Sequence, residues 1–213
     1  MWIRHECHGT VAGQVSDSEV HSQVAAWLAA DRPLVVARQP CGALLSDSIS
    51  VGLALPPAQG KRRIALSVAA DGIARHALPL PLADAIAHAP AAWQPSLAEL
   101  DAAATHIDIE LRVFGSLAWQ ALSGLNYMTL KSDIDLLWHP LSNEQLQHGI
   151  ALLQRWEQSS GLRADGEVLF GTGGAVSWRE WATLKSGDDQ RVLVKRASSA
   201  ELVAARELLE MLA

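Results

Sequence analysis

The sequence predicts an α+β protein: a small β-rich N-terminal domain with one helix over residues 1–88, then a second domain over 89–213 in which a mixed sheet is flanked by helices. Three observations predict it. Short alternating runs separated by tight turns crowd the first half. Four serines, each followed three residues later by Glu or Gln, open apolar-periodic stretches in the manner of helix N-termini. In the second half such stretches interleave with aliphatic strand-like runs.

Taken in order, Ser16 with Glu19 opens a helix carrying Val20, Val24, Trp27 and Leu28. Strands follow at Pro33-Leu34-Val35-Val36 and at Ile49 to Leu55. Pro56-Pro57-Ala58-Gln59-Gly60 turns the chain into Lys61 to Val68, closed by Asp71-Gly72. The Ala- and Pro-rich segment from Leu78 to Pro95 reads as a linker. Ser96 with Glu99 opens a short helix bearing Leu97 and Leu100. Ile109 to Phe114 alternates as a strand packed on one face should, and after Gly115-Ser116 the helix former Leu117 to Leu122 stops at Gly124. Asp133 to Trp138 is a mostly aliphatic strand. Ser142 with Gln145 opens the helix of Leu146, Ile150, Leu153 and Trp156, ending near Gly161. Arg163 to Phe170 and Ala175 to Trp178 form a strand pair joined by Gly171-Thr172-Gly173-Gly174. That link lacks the lysine and following helix of a phosphate loop, so it reads as a hairpin. Val192 to Val194 is a strand, and Ser198 with Glu201 opens a last helix with Leu202, Leu208, Leu209 and Leu212.

At 213 residues, 49% apolar and 19% charged, the chain can bury a substantial core. A net charge of −6 argues against a protein that binds nucleic acid along its whole surface. Cys7 and Cys41 cannot build a disulfide framework, and neither a leader nor a run of membrane-spanning length stands out. The expectation is a cytoplasmic protein without a membrane partner. Among eight tryptophans, Trp27 and Trp156 fall on helical stripes, and core packing is favoured over adenine stacking for Trp119, Trp178 and Trp181.

The chemistry concentrates in the second half. Asp133 and Asp135 point to one face of their strand, because side chains alternate with period two. Two adjacent carboxylates repel, and a divalent cation, Mg²⁺ or Mn²⁺, resolves the conflict. Gly115-Ser116 opens a helix whose free N–H groups suit phosphate oxygens. Metal and anion cradle together make a phosphoryl-transfer site. Asp165 and Glu167 share a strand face, and either could supply a third carboxylate. Lys131, Arg179 and Lys195 are the nearest cations for a polyphosphate. Lys61-Arg62-Arg63 is the densest basic cluster; Arg62 reads as solvated, while Lys61 and Arg63 could hold a phosphate or an acidic protein. His5, Cys7 and His8 lack a second ligand pair at zinc spacing.

Gly115-Ser116, Asp133-x-Asp135 and the later acidic strand resemble the nucleotidyltransferase superfamily, with a longer spacing from Ser116 to Asp133 than its commonest pattern. The run Gly115 to Leu125, then Ser132 to Leu137, is similar to the malonate decarboxylase holo-acyl-carrier-protein synthase family. So are Arg32 to Val36, Gly60 to Ala65, Asp165 to Val168, Trp178-Arg179-Glu180-Trp181 and Val192 to Lys195, whereas Arg4 to His8 departs from it. The resemblance implies a nucleotidyltransferase-like second domain. It also implies transfer of the prosthetic group of 2′-(5″-triphosphoribosyl)-3′-dephospho-CoA to a serine of the apo acyl carrier subunit of malonate decarboxylase, with release of pyrophosphate. Another hydroxyl acceptor, or an inactive nucleotide- or carrier-binding module, is the alternative reading.

Overall fold

The computed structural model describes residues 1–3, 12–13, 18–39, 47–171, 174–184 and 190–212. His5, Cys7, His8, Ser16, Cys41, Thr172 and Gly173 lie outside the described residues. The chain divides into two units, one of residues 1–78 with 122–126 and 197–199, the other of 79–121, 127–196 and 200–213.

The first unit contains β1 (Trp2–Ile3), β2 (Ala12–Gly13), α1 (Ser18–Ala29), β3 (Val35–Val36), β4 (Ser48–Ala54), β5 (Arg63–Ala69) and β6 (Ile73–Arg75). An antiparallel sheet runs in the order β2-β5-β4-β3, and β1 pairs with β6 separately. Alternation along β4 and β5 buries Val51, Leu53, Ile64, Leu66 and Val68. Full burial of such a side chain stabilises by about 1.5–3 kcal/mol. The turn between these strands reverses through Gly60 and Lys61, both left-handed (φ 84° and 56°). α1 buries Val20, Trp27 and Leu28, and the Trp27 indole N–H donates to the Pro33 carbonyl at 2.9 Å.

The second unit holds β7 (Leu80–Pro81), α2 (Leu82–Ala85), α3 (Gln94–His106), β8 (Arg112–Val113), α4 (Gly115–Ser123), β9 (Ile134–Trp138), α5 (Asn143–Ser160), β10 (Ala164–Phe170), β11 (Gly174–Ser177), α6 (Trp178–Ala182), β12 (Arg191–Lys195), β13 (Ala200–Ala204) and α7 (Ala205–Glu210). Its sheet runs β13-β12-β11-β10-β9-β8-β7. Among the described strands only β9 and β10 pair in parallel, with α5 as the crossover that such a pair requires. One face of the sheet presents Val113, Ile134, Leu136, Trp138, Ala164, Val168, Phe170, Val176, Val192 and Val194, all buried in one core with Leu97, Leu100, Leu146, Leu153 and Trp156 from α3 and α5. Gly149 of α5 makes room for Trp138, since a Cβ there would lie 2.4 Å from the indole. Trp119, Trp178 and Trp181 are buried too, so packing is their role; Trp181 lies 4.9 Å from Phe170, centroid to centroid. Among the described residues no helix is long and apolar enough to cross a membrane.

Three local expectations are corrected. The segment read as a linker contains β7 and α2 and contributes Leu82, Ala85, Ala89 and Trp93 to the core of the second unit. α3 begins at Gln94, ahead of Ser96, because Pro95 starts a helix well and needs no hydroxyl cap; the Ser96 carbonyl instead accepts from the Trp156 indole at 2.8 Å. Ser198 with Glu201 does not open a helix: Ala200–Ala204 is β13, paired residue by residue with β12, and the helix follows only at Ala205. The same signature at Ser142 does cap α5, with the hydroxyl accepting from Gln145 N at 3.1 Å, and Gly161 ends that helix in the left-handed conformation. Such a cap is worth about 1 kcal/mol.

Candidate active site

The outer face of the second sheet is made by the alternate residues of the same strands. On β9 and β10 these are Asp135, Leu137, Asp165, Glu167 and Leu169, all half-buried, while their neighbours in sequence are buried. The parallel register sets Asp165 directly beside Asp135, and Glu167 beside Leu137. Neighbouring strands lie about 4.8 Å apart, so the carboxylates of Asp135 and Asp165 emerge side by side. Like charges placed opposite each other in a sheet are destabilising, and a leucine or threonine would serve the fold better.

Asp135 is seated by Gly115. This glycine is the first residue of α4 and has φ +62°, and a Cβ on it would lie 1.8 Å from Asp135 Oδ2. The missing side chain therefore makes space for a carboxylate of the protein. The Phe114 N–H donates to the Asp135 carbonyl at 3.0 Å, locking the turn to β9. A carboxylate at a helix N-terminus is also favoured by the helix dipole. Ser116 is half-buried in the same first turn, and its hydroxyl has no hydrogen-bond partner among the described residues.

Asp133 lies one residue ahead of β9, because the ladder begins where Ile134 N–H donates to the Arg163 carbonyl. Its carboxylate stands 3.6 Å from Arg163 Nε. The strand thus carries one of the two expected aspartates, with the other at its entrance. Asp165 Oδ1 accepts from Gly166 N–H at 2.8 Å. Gly166 has φ +128°, and a Cβ there would lie 1.9 Å from the Leu136 carbonyl oxygen, so only glycine fits between Asp165 and Glu167. Glu167 Oε1 accepts from Lys195 Nζ at 2.5 Å. Lys131 is exposed in the turn before β9, without an ion-pair partner among the described residues. Lys61 and Arg63 are exposed at the β4–β5 turn of the first unit.

Arg179, expected from the sequence as a cation for a polyphosphate, is engaged by partners within the protein. Its Nη2 donates to the Glu157 carboxylate and, at 2.5 Å, to the Ala164 carbonyl, and its guanidinium stacks 4.6 Å from the Trp178 ring. Glu157 Oε1 also accepts from Ala164 N–H at 2.7 Å. Arg179 and Glu157 together clamp the first residue of β10, next to Asp165. Sequence reasoning passed over Glu157, although a carboxylate in the last turn of a helix opposes the dipole and so signals a fixed partner. It also passed over Arg112, which stands beside Leu137 on the outer face, paired with both oxygens of Glu110 and donating to the Pro79 carbonyl at 2.6 Å. Its signal was parity: it alternates with buried Leu111 and Val113.

Among the described residues no three of His, Cys, Asp and Glu converge into a closed metal cage. An open carboxylate pair suits Mg²⁺ nevertheless, since that ion is commonly held by one or two carboxylates together with substrate phosphates. Half-buried Asp135, with Asp133 at the strand entrance, is a hard-oxygen donor pair of that kind, and Asp165 stands level with Asp135 beside it.

Comparison with known proteins agrees along nearly the full length. Residues 6–79 match the family model described as the phosphoribosyl-dephospho-CoA transferase MdcG N-terminal domain, and residues 81–206 match the MdcG C-terminal domain. A phosphoribosyl-dephospho-CoA transferase of Xanthomonas campestris pv. campestris is 43% identical over 203 residues, 95% of this chain and 91% of that protein. One from Bradyrhizobium diazoefficiens is 43% identical over 135 residues, 63% of this chain and 60% of that protein. Another from Azotobacter vinelandii is 31% identical over 198 residues, 88% and 85% of the two chains. No solved structure matches.

Proposed function

Since the chain belongs to the phosphoribosyl-dephospho-CoA transferase family, we propose that this transferase moves the phosphoribosyl-dephospho-CoA group from its 5″-triphosphate onto a serine of the apo acyl carrier subunit of malonate decarboxylase. The serine oxygen attacks the α-phosphorus, the bond from that phosphorus to the bridging oxygen breaks, and pyrophosphate leaves in line. Asp133 and Asp135 would hold Mg²⁺. The ion supplies charge neutralisation for the triphosphate. Asp165, level with Asp135, receives the serine proton. Ser116 and the first turn of α4 hold phosphate oxygens, and Lys195 offsets the charge that grows on pyrophosphate. Lys131 is a further cation for the donor, and Lys61 and Arg63 of the first unit, taken by themselves, are cations for a phosphate or an acidic protein. A cytoplasmic setting belongs to the same reading.

The observation that carries it is the register of Asp165 against Asp135 on an outer sheet face, with Gly115 shaped to admit one carboxylate. Intact-mass spectrometry of the apo carrier, incubated with this protein, the triphosphoribosyl donor and Mg²⁺, tests it. A mass increase equal to the phosphoribosyl-dephospho-CoA group, with pyrophosphate released, is expected. A competent carrier that gains no mass would refute the acceptor.

A further inference from the structure

We propose that Glu167 is a positioning residue whose work is to hold the Lys195 ammonium over the outer sheet face, and that it neither ligates the metal nor takes the serine proton. The inference rests on the transfer reaction proposed above and refines the roles within its site. It starts from register. Glu167 shares a face with Asp165 but lies two residues further along β10, about 6.6 Å away. Its neighbours across the sheet are Leu137 on β9 and Ser177 on β11, so no carboxylate stands level with it. Asp165 is the group level with Asp135.

The second observation is how Lys195 reaches Glu167. Lys195 lies on β12, with Ala175 of β11 directly beside it. Ala175 and Ser177 are the outer-face residues of β11, and both are small. The four-carbon stem of Lys195 therefore crosses a whole strand on the diagonal and ends 2.5 Å from Glu167 Oε1. The Lys195 side chain is 42% exposed and that of Glu167 only 22%, so the carboxylate is the fixed end of the pair. An untethered lysine would spread over many rotamers in water.

Charge balance gives the reason for the device. A bare Glu167 would add negative charge to a face that must accept a triphosphate. Paired with Lys195 it adds none, and an ammonium with three N–H donors has two left for phosphate oxygens after serving Glu167. The pair thus delivers a directed cation to the pyrophosphate end of the donor, one pleat repeat from the carboxylates.

The test combines Glu167→Gln, Lys195→Met and the double variant with Asp165→Asn and Asp135→Asn. Mn²⁺ binding to the free protein is measured by calorimetry, and donor turnover by pyrophosphate release across a pH series. Glu167→Gln is expected to keep Mn²⁺ affinity within about twofold and to keep the acidic limb of the pH profile, while kcat/KM for the donor falls about tenfold, the size of one charge-assisted contact. Lys195→Met should weaken turnover and pyrophosphate product inhibition together, and adding Glu167→Gln to it should change little more. A drop in Mn²⁺ affinity on Glu167→Gln would make Glu167 a ligand and overturn the proposal. Loss of the acidic limb, or effects of the two single variants that multiply, would overturn it equally. Unchanged Mn²⁺ binding in Asp135→Asn would instead strike the metal reading, and an acidic limb kept in Asp165→Asn the role of Asp165 as base, with the coupling between Glu167 and Lys195 still read independently.

Discussion

The two faces of the seven-stranded sheet are made by alternate residues of the same strands, yet they obey different rules. Inward, Ile134, Leu136, Trp138, Ala164, Val168 and Phe170 are all at most 1% exposed, and each is what packing against α3 and α5 requires. Outward, the same two strands set Asp135 against Asp165 in direct register and insert a left-handed glycine between Asp165 and Glu167. Inward the choices serve density; outward, two like charges stand in register, which is costly in a sheet, and a single residue step separates the two faces.

Substitutions can break that contrast. The largest effect expected is on Asp135→Ala, which should lower donor turnover by at least about 10³-fold, roughly 4 kcal/mol of transition-state stabilisation, with a change in melting temperature much smaller than that of a core substitution. Equal losses of stability and activity would show that the outer face is structural after all. Trp138→Ala, three residues along the strand, should do the reverse, costing about 3–5 kcal/mol of stability in chemical denaturation, with normal turnover per folded molecule. Gly115→Ala should cut kcat by about a hundredfold, through displacement of the Asp135 carboxylate, and add about 1 kcal/mol of backbone strain; kinetics and melting on one sample separate the two. Glu157→Gln should weaken the clamp on Ala164 by about 1–2 kcal/mol and lower activity modestly, since Asp165 follows the clamped residue. The smallest effect concerns the helices. Burial, and then the nearby Asp84, raise the Asp101 carboxyl above its ordinary 3.8. A raised folded-state value favours the protonated form, so that advantage is complete below 3.8 and is lost as pH rises through the folded-state value. Asp101→Asn should accordingly melt slightly higher than the parent at pH 7 and lose the difference in acid.

How much was legible beforehand follows the range of each interaction. Ser142 and Gln145 settle a helix start among themselves, and Gly161 settles its end, so α5 could be read from the sequence. Ser198 and Glu201 spell the same signal and are overruled, because β12 needs a partner and Leu193 finds Leu202 across the ladder. Gly115, Asp135 and Asp165 sit at element boundaries and on strand parity, which a sequence displays. The partners of Arg179, Glu157 and the Ala164 backbone, were not legible because they arrive from two other elements. Lys195 is likewise defined by a residue two strands away. The buried Trp93 and Leu82 hid in a segment whose alanines and prolines resemble a tether.

The crossover that joins β9 to β10 also governs when the site comes into being. Asp135 and Asp165 meet only through the one parallel pairing of the sheet, across the full length of α5. Antiparallel neighbours such as β10 and β11 need close only a short link, whereas the parallel ladder must first bear the entropy of a long closure. The acidic pair therefore exists only once the α5 crossover has closed, a step that the β10–β11 hairpin does not need. A chain in which α5 has not closed can hold the β10–β11 and β12–β13 hairpins with Asp135 and Asp165 still apart.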